Sequence, residues 1–588
     1  MTHTLLAALS VATALLVTTA PAAAQNLKVL THARTGQFDS LDPPRQFDGA
    51  SIALVALVYN RLLNYAYLER PYQLTPDLLE SMPELGADKL TWTFRLKKGV
   101  RFHDNACFPG SKGRELTADD VLFSLRRFAD ANVNTKSWFL MEGAVVGLDD
   151  FHAASRKAGP AFDAGKVDLA GFRKQGSHEF TIKLARENPL FLFALATTPS
   201  SIVPVEAVQF YKERFAVNPV GKGPFTLKDV DRKGVLRFLK YPNYHGVYPG
   251  VGELGDAEKS LLKDAGRKLP LVDVVQMPLI EEAQPAALRF LSGELDWRTL
   301  DRANFTKMVT RNKGGDFQLN DEFASLFNLH AAPALDIYYI GINMKDPLLG
   351  RNKALRQALA HLVDTRGRID VLLGGRGRKL QSLVPLDLPG SERDTGATFR
   401  EYDVAAARKL LAEAGFAEGK GLPLLSVAFP AADADTRNYF DFMKVKAAAA
   451  GVQLKATFTD NPTFIRSVEG GNFQLASDSW EADYADAENF YQLLYSKNVA
   501  PGPNFPAFSH AGYDQAYEAS RLMTNGAARL ANFKTMNDIL RDEVPVIIGH
   551  NSIRVGVSQK WLLNFKRNLM RPEFEFLDID PAPKTPRP

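Results

Sequence analysis

Residues 90–104, Leu-Thr-Trp-Thr-Phe-Arg-Leu-Lys-Lys-Gly-Val-Arg-Phe-His-Asp, decide the fold class. Residues 90–96 alternate apolar and polar side chains, as a half-buried strand does, and residues 97–99 signal a turn. Residues 117–120, Thr-Ala-Asp-Asp, then predict the N-cap of an amphipathic helix over Val121–Phe128, with acidic side chains in its first turn. Similar strand and helix patterns alternate along the chain, so the sequence predicts an α/β architecture.

A second helix is predicted over Val404–Ala414, where Asp403 supplies the cap and Gly415 ends the helix. Two other stretches, residues 141–176 and 249–269, hold glycines and charges with weak periodicity. We interpret both as insertions or loops. The apolar positions of the second helix follow a helical spacing: Ala407, Leu410, Leu411 and Ala414.

Composition places the chain among ordinary globular proteins. Of its 588 residues, 45% are hydrophobic and 23% are charged, and the formal net charge is +4. This length allows more than one large core. The basic residues are dispersed, so the small positive excess does not indicate a nucleic acid or an anionic membrane as partner.

The first residues predict export. Leu5–Val17 is an uncharged run of apolar and small residues, and residues 21–25, Pro-Ala-Ala-Ala-Gln, supply a small-x-small cleavage site before Gln25. The run is shorter than the roughly 20 residues that a membrane span needs. We therefore expect a cleaved signal peptide at residues 1–24, although its start lacks the usual Lys or Arg, and a soluble periplasmic chain without membrane insertion. The proline-rich tail from Pro581 is expected to be disordered.

No catalytic motif is apparent in the sequence. Cys107 is the sole cysteine, so no intramolecular disulfide is possible. There is no Gly-x-Ser-x-Gly, His-Glu-x-x-His or phosphate-loop motif, and the histidines lack metal-ligand spacing. The adjacent His103 and Asp104 are interpreted as structural. We predict no catalytic residue, no metal and no cofactor. One basic cluster could attract an anion, but a solvated surface explains it better: Arg366, Arg368, Arg376, Arg378 and Lys379.

Residues 476–490, Ala-Ser-Asp-Ser-Trp-Glu-Ala-Asp-Tyr-Ala-Asp-Ala-Glu-Asn-Phe, combine five acidic residues with several aromatic ones. They follow a strand-like stretch at residues 473–476. A strand that delivers an indole and a carboxylate into a loop can form a pocket for a cationic group. An acidic surface loop anchored by its aromatic residues fits the same pattern. The residue types alone leave both interpretations open.

Short motifs in collinear order identify a family. They are residues 40–43 (Ser-Leu-Asp-Pro), 58–63, 91–104, 116–121, 218–225, 291–296 (Leu-Ser-Gly-Glu-Leu-Asp), 338–343, 355–359, 402–416 and 480–486. Each motif alone is a weak signal, whereas the whole set in this order is specific. The chain resembles the family-5 extracellular solute-binding proteins, the dipeptide, oligopeptide and nickel receptors of ABC importers.

The resemblance implies a binding site. In peptide-binding members the aspartate of Trp-x-x-Asp-Tyr accepts the ligand's α-ammonium, and the neighbouring backbone pairs with the peptide as an added strand. Here that aspartate is Asp483, with Trp480 in the same wall and Glu481 and Tyr484 beside it. Asn60 stands where the family commonly has Glu, and this departure bears on the ligand class.

The resemblance also implies two α/β lobes that close on a ligand about a hinge, with an extra subdomain in lobe I. We expect hinge crossings near residues 338–339 and 546–549. The predicted boundaries are residues 25–58, 190–337 and 549–588 for lobe I, 59–189 for its extra subdomain, and 338–548 for lobe II.

The predicted function is a monomeric receptor that captures peptides and delivers them to the membrane subunits of an ABC importer. Two alternatives stay open. The first is the same receptor role for a non-peptide cargo, such as a metal chelate, an opine, a sugar or an apolar molecule. The second alternative, which the sequence favours less, is a secreted hydrolase that reuses this fold.

Overall fold

The computed structural model describes residues 27–580 except positions 39, 47–48, 136, 163, 165–166, 231–233, 253, 397–398 and 501. The predicted signal peptide and the tail from Pro581 lie outside the described residues. Among the helices of the described part, none has the length and apolarity needed to cross a membrane.

The strands of the described residues are mostly short. In chain order they are β1 Val29–Thr31, β2 Leu63–Tyr65, β3 Leu74–Pro76, β4 Glu84–Leu85, β5 Thr91–Arg95, β6 Phe172–Lys174, β7 Glu179–Lys183, β8 Phe225–Val230, β9 Leu236–Lys240, β10 Val274–Met277, β11 Trp297–Thr299, β12 Val309–Arg311, β13 Phe317–Leu319, β14 Phe327–Pro333, β15 Asp336–Ile342, β16 Gly377–Lys379, β17 Leu425–Phe429, β18 Leu454–Phe458, β19 Leu475–Glu481, β20 Val546–Gln559, β21 Leu562–Leu563 and β22 Asp578–Ile579.

Helices alternate with these strands. In chain order they are α1 Gly49–Val58, α2 Ala118–Ala129, α3 Leu148–Ala158, α4 Phe191–Ala194, α5 Val205–Tyr211, α6 Ala283–Leu291, α7 Arg302–Met308, α8 Asp321–Ala324, α9 Lys353–Ala360, α10 Thr365–Gly367, α11 Glu392–Thr395, α12 Val404–Glu413, α13 Ala434–Ala448, α14 Asn461–Glu469, α15 Glu488–Tyr491, α16 Ala511–Arg521 and α17 Ala527–Glu543.

The largest sheet has the strand order β11-β20-β15-β19-β17-β18, and β14 and β16 also pair with β20. The long strand β20 connects two groups of strands in this sheet. Residues 546–552 of β20 pair with β15 and β16, whereas residues 553–559 pair with β11 and β14. The register of β15 against β20 shifts between Tyr338 and Tyr339. The two expected hinge crossings therefore lie side by side on neighbouring strands.

Two four-stranded sheets form most of the remaining β-structure, with orders β1-β10-β9-β8 and β4-β5-β7-β6. The second lies within residues 59–189, the stretch predicted as an extra subdomain. Phe94 and Phe180 stack at its centre with ring centroids 4.9 Å apart. A separate apolar core beneath β15 and β17 includes Ile342, Leu355 and Val427. The described chain thus has more than one core, as its length allows.

The structure confirms three elements predicted from the sequence. The alternating stretch at residues 90–96 forms β5. Thr117 and Asp120 occupy the capping-box positions at the start of α2, where the Thr117 amide donates to Asp120 Oδ2 at 2.9 Å, which satisfies a backbone N–H group that would otherwise lack a partner. Asp403 caps α12 by accepting a hydrogen bond from the Ala406 amide at 2.9 Å.

The loop interpretation of residues 141–176 is wrong in part, because residues 148–158 form α3. Only Leu148, Phe151 and Ser155 of this helix are buried, so the apolar stripe is too short to stand out in the sequence. Residues 249–269 contain a 3₁₀ helix over Asp256–Asp264. Leucines of this stretch pack on an aromatic cluster that includes Tyr67, Tyr248 and Phe576.

Candidate ligand-binding site

Strand β19 carries the first half of the predicted site. It pairs antiparallel with β15, which places Trp480 opposite Ile337 and Glu481 opposite Asp336. Trp480 and Glu481 thus lie on a strand, whereas the sequence interpretation placed them in a loop after a strand at residues 473–476. The reason is that β15 holds β19 in extended form through residue 481.

The second edge of β19 is only partly covered. Strand β17 pairs with β19 at Leu475 and Ala476 alone. Within the described residues, positions 477–481 have no strand partner on that side. A free strand edge presents a row of backbone N–H and C=O groups that can pair with another extended segment.

Asn489 connects two of the predicted residues. Its side-chain oxygen accepts hydrogen bonds from the Trp480 indole Nε1 at 2.9 Å and from the Asp483 amide at 3.1 Å. Its Nδ2 donates to Asp483 Oδ2 at 3.1 Å. Asn489 is fully buried, so these bonds fix the turn that carries Asp483. The sequence analysis missed this role, although Asn489 belongs to the quoted stretch 476–490.

Tyr484 turns toward a different set of partners. Its hydroxyl donates to Glu488, a buried carboxylate that also accepts a hydrogen bond from the hydroxyl of Tyr517. Its ring stacks against Phe193 of α4, with centroids 5.8 Å apart. The next residue, Ala485, donates its amide to the Tyr65 hydroxyl at 3.1 Å. These contacts join the acidic loop to the part of the chain that was assigned to lobe I and its subdomain.

Asp483 has an unusual electrostatic environment. Water reaches its exposed side chain, while protein surrounds it closely enough to weaken its solvation. This desolvation raises the pKa of Asp483, and the nearby carboxylates Glu481 and Glu488 raise it further. The hydrogen bond from Asn489 acts in the opposite direction. A cation beside Asp483 would offset both unfavourable effects, because it supplies the opposite charge that the site lacks.

A buried ion pair attaches the acidic loop to helix α17. Arg529 donates to Asp486 through both terminal nitrogens, Nη1 to Oδ2 at 2.8 Å and Nη2 to Oδ1 at 2.7 Å. Both side chains are almost fully buried. This bidentate geometry holds the loop against α17.

Two cavities are lined by this loop or by elements that contact it. A cavity of about 1200 Å³ is lined by β14, residues 562–567, residues 386–389 and the start of α17. Because these segments belong to both of the expected lobes, we call this space the interlobe cavity. Tyr72 also lines it and packs edge-on against Tyr65, with centroids 6.3 Å apart. A second cavity of about 590 Å³ lies on the other side and is lined by Trp480 and Tyr484 together with Phe191. Of the four predicted site residues, Trp480 and Tyr484 line the second cavity, whereas Glu481 and Asp483 line neither cavity.

The structure does not bring the basic cluster of the sequence analysis together as one anion site. Arg366 and Lys379 both pair with Glu401. The Arg368 guanidinium lies 3.5 Å from the ring centroid of Tyr439, and that of Arg376 lies over Phe305. Arg378 lines the interlobe cavity and lies 3.9 Å from Asp387.

The remaining sequence candidates have local partners. The His103 ring contacts the Gly223 carbonyl at 3.0 Å, while Asp104 binds Lys112. Burial raises the pKa of the Cys107 thiol to about 11, which suppresses the reactive thiolate. Asn60 donates to both carboxylate oxygens of buried Asp77. No cluster of three His, Cys, Asp or Glu groups that could hold a metal ion occurs within the part of the chain that the structure describes.

The sequence matches a known protein family over most of its length. The model of the family described as bacterial extracellular solute-binding proteins, family 5 Middle, matches residues 73–502. The chain belongs to this family. The resemblance drawn from the collinear motifs is therefore confirmed. The dipeptide-binding protein of Escherichia coli K12 is 24% identical to this family member over 550 residues, which cover 90% of this chain and 91% of that protein.

Solved structures agree on the fold of this solute-binding protein. HbpA2 from Haemophilus parasuis superposes with a TM-score of 0.73 at 21% identity, over 94% of this chain and 100% of that one. The periplasmic binding protein DppA from Helicobacter pylori, in complex with the peptide STSA, gives 0.69 at 20% identity, over 94% and 98%. The predicted α/β fold of two-lobed periplasmic binding proteins is confirmed.

Proposed function

We propose that this solute-binding protein is the periplasmic receptor of an ABC importer, which captures short peptides between its lobes and delivers them to the membrane permease. The observation that carries this proposal is Asp483, a carboxylate with a raised pKa that Asn489 orients just after the end of β19. Relatives whose names state that they bind dipeptides and tripeptides add support.

In this proposal the α-ammonium of the peptide binds Asp483. Charge-assisted hydrogen bonds to a carboxylate are among the stronger polar contacts. Trp480 forms part of the same wall, and Glu481 and Tyr484 border it. The peptide backbone pairs with the free edge at residues 477–481, so that its main chain adds a strand beside β19.

Capture depends on movement of the lobes. The proposed boundaries are residues 25–58, 190–337 and 549–588 for lobe I, with its subdomain at 59–189, and 338–548 for lobe II. The proposed hinge consists of β15 near residues 338–339 and β20 near residues 546–549, which pair with each other. A ligand that contacts both lobes stabilises the closed state. The membrane subunits of the importer then recognise that state.

Calorimetry with tri-alanine tests the ammonium site. Asp483→Asn removes the negative charge but keeps the size of the side chain, so we expect about tenfold or greater loss of affinity. Asp441→Asn, on the exposed surface of α13, is the matched control and should bind as the wild type does. An unchanged affinity of Asp483→Asn for tri-alanine would overturn the assignment.

Mass spectrometry of the molecules released from the purified protein tests the cargo class. We expect short peptides. Recovery of a metal chelate, an opine, a sugar or an apolar molecule instead would replace peptides as the cargo while leaving the receptor role intact. Turnover of a peptide panel would favour the hydrolase alternative.

A further inference from the structure

Residues 254–265, here called the wall segment, form part of the wall of the interlobe cavity and belong to the proposed lobe I. The sequence analysis interpreted this stretch as an insertion or loop, and the proposed capture of peptides does not involve it. The residues that line the cavity all belong to the 3₁₀ helix over Asp256–Asp264. They are Glu258, Ser260, Leu261 and Lys263.

The chain enters and leaves this stretch at one place. The Tyr248 amide donates to the Arg267 carbonyl at 2.8 Å, and the Gly266 amide donates to the Tyr248 carbonyl at 3.0 Å. Val247 and Lys268 form an antiparallel bridge next to these bonds. The intervening residues are therefore a loop whose two ends are paired. Compact surface loops with adjacent ends are frequently functional.

Polar contacts hold the wall segment against residues 564–566, which line the same cavity. Lys566 Nζ lies 2.7 Å from Glu258 Oε2, and only 10% of the Lys566 side chain is exposed. Asn564 Nδ2 donates to Asp264 Oδ2 at 2.6 Å, and both of these side chains are buried. Hydrogen bonds to charged groups are among the stronger polar contacts, so these bonds give the segment a defined position.

Apolar contacts hold the wall segment as well. Leu254, Leu261 and Leu262 pack on the buried cluster that includes Tyr67 and Tyr248. Leu261 also lines the cavity, so this one side chain contacts both the cluster and the space for cargo. A wall that is packed in this way can reject a ligand by steric conflict, which is a common source of specificity.

The proposed lobe II contributes other parts of the cavity wall, including residues 386–389, Arg393 and Leu530. The volume of about 1200 Å³ exceeds the roughly 300–1,000 Å³ of typical small-molecule pockets. The space thus has room for a peptide, and walls from both lobes bound it. When the lobes close, cargo that extends toward the wall segment meets a part of lobe I that is already fixed.

We propose that the wall segment sets the upper length of the peptides that this receptor accepts, because it closes one side of the interlobe cavity to longer chains. This inference rests on the proposed function, since it takes peptides as the cargo. A purely structural role is the alternative. In that case the segment only covers the aromatic cluster, and its removal lowers stability without changing the preference for peptide length.

Excision of the loop tests the proposal. Replacing residues 249–266 by Asn-Gly joins Tyr248 to Arg267 through a two-residue turn of the kind that closes β-hairpins. Calorimetry then compares alanine-serine peptides of three, six and nine residues. For the wild type, we expect the nine-residue peptide to bind at least about tenfold more weakly than the three-residue peptide. In the excised protein this difference should shrink to about threefold or less.

Ser260→Trp tests the same wall in the opposite direction and keeps the loop. Ser260 is exposed and lines the cavity, so an indole at this position occupies space that long cargo would use. We expect about tenfold weaker binding of the six-residue peptide and little change for the three-residue peptide. Lys259→Trp is the matched control, because Lys259 is exposed on the same helix but lines neither cavity. Its preference for peptide length should equal that of the wild type.

Equal affinity of the wild type for all three peptides would overturn the proposal and leave the peptide receptor role intact. So would the same length preference in the wild type and the folded excised protein. If circular dichroism shows that excision prevents folding, Ser260→Trp decides, and an unchanged length preference in this variant overturns the proposal.

Binding of none of these peptides by the wild type would reject the proposed function instead. Mass spectrometry of the molecules released from each purified protein then tests the wall segment for any class of cargo. A larger upper mass from the excised protein, or a smaller one from Ser260→Trp, supports the proposed role. An unchanged upper mass, or no released molecule, overturns it.

Discussion

Asp483 is held in a place where its own negative charge is unfavourable. Asn489 positions the carboxylate, and two neighbouring carboxylates repel it. The motif Trp-x-x-Asp-Tyr predicts Asp483 from the sequence. The sequence does not predict the role of Asn489, because that role depends on how α15 turns back toward the end of β19.

Affinity for tri-alanine should depend on pH through Asp483. Because the pKa of Asp483 is raised in the free protein, this carboxyl becomes protonated at a higher pH than an ordinary aspartate. Only the ionised form attracts an ammonium, so affinity should fall as pH is lowered. Calorimetry between about pH 7 and about pH 5 keeps the peptide amine protonated. The profile of Asp483→Asn should be flat over this range, and a flat wild-type profile would contradict the role of Asp483.

The ion pair of Arg529 with Asp486 should matter strongly for stability. Arg529→Met leaves a buried carboxylate without its partner, which costs about 3–5 kcal/mol of unfolding free energy. Arg541→Met on the same helix is the control. Arg541 lies 3.0 Å from Asp538 on the exposed surface, where ion pairs contribute about 0–1 kcal/mol. Urea denaturation measures both variants, and equal losses would show that burial of the pair is unimportant.

At the scale of elements, sequence reasoning succeeded where a local signal was complete. Strand β5 has alternation and α2 has a capping box, and both formed as predicted. Helix α3 went unrecognised because few of its residues are buried. The cavities could not be predicted from the sequence, because their walls come from segments hundreds of residues apart, such as Tyr72, β14 and residues 562–567.

Gly549 tests the pairing of β15 with β20. A Cβ at this position would lie 2.5 Å from the Tyr338 carbonyl oxygen, so Gly549→Ala should force the strands apart beside the register shift. We expect a loss of about 1–3 kcal/mol. Gly176→Ala is the control, because nothing lies within 4 Å of its added Cβ. Thermal unfolding compares the two, and equal melting temperatures would contradict the close approach.

At the scale of the whole molecule, polar contacts join the proposed lobes. Arg302 of α7 lies 2.6 Å from Asp435 of α13, and the Arg311 guanidinium donates to the Gly375 carbonyl at 2.7 Å. If closure controls binding, contacts made only in the closed state contribute to affinity by raising its population.

Charge exchange at Arg302 and Asp435 tests this coupling. Both side chains are partly exposed, so we expect Arg302→Asp to weaken tri-alanine binding by a few fold with little change in melting temperature. The double variant Arg302→Asp, Asp435→Arg should recover most of the affinity. Small-angle scattering with and without tri-alanine should show less compaction for the single variant. If the double variant does not recover binding, the ion pair of Arg302 with Asp435 does not contribute to closure of the lobes.

Strand β20 has a consequence for how this protein is made. All four of its partner strands precede it in the chain, so the largest sheet lacks its centre until residues 546–559 have been synthesised. Pairings between such distant segments form slowly. Export in an unfolded state, as the predicted signal peptide requires, benefits from a chain that cannot complete its fold early. The strand proposed as part of the hinge thus also delays folding until nearly the whole chain is available.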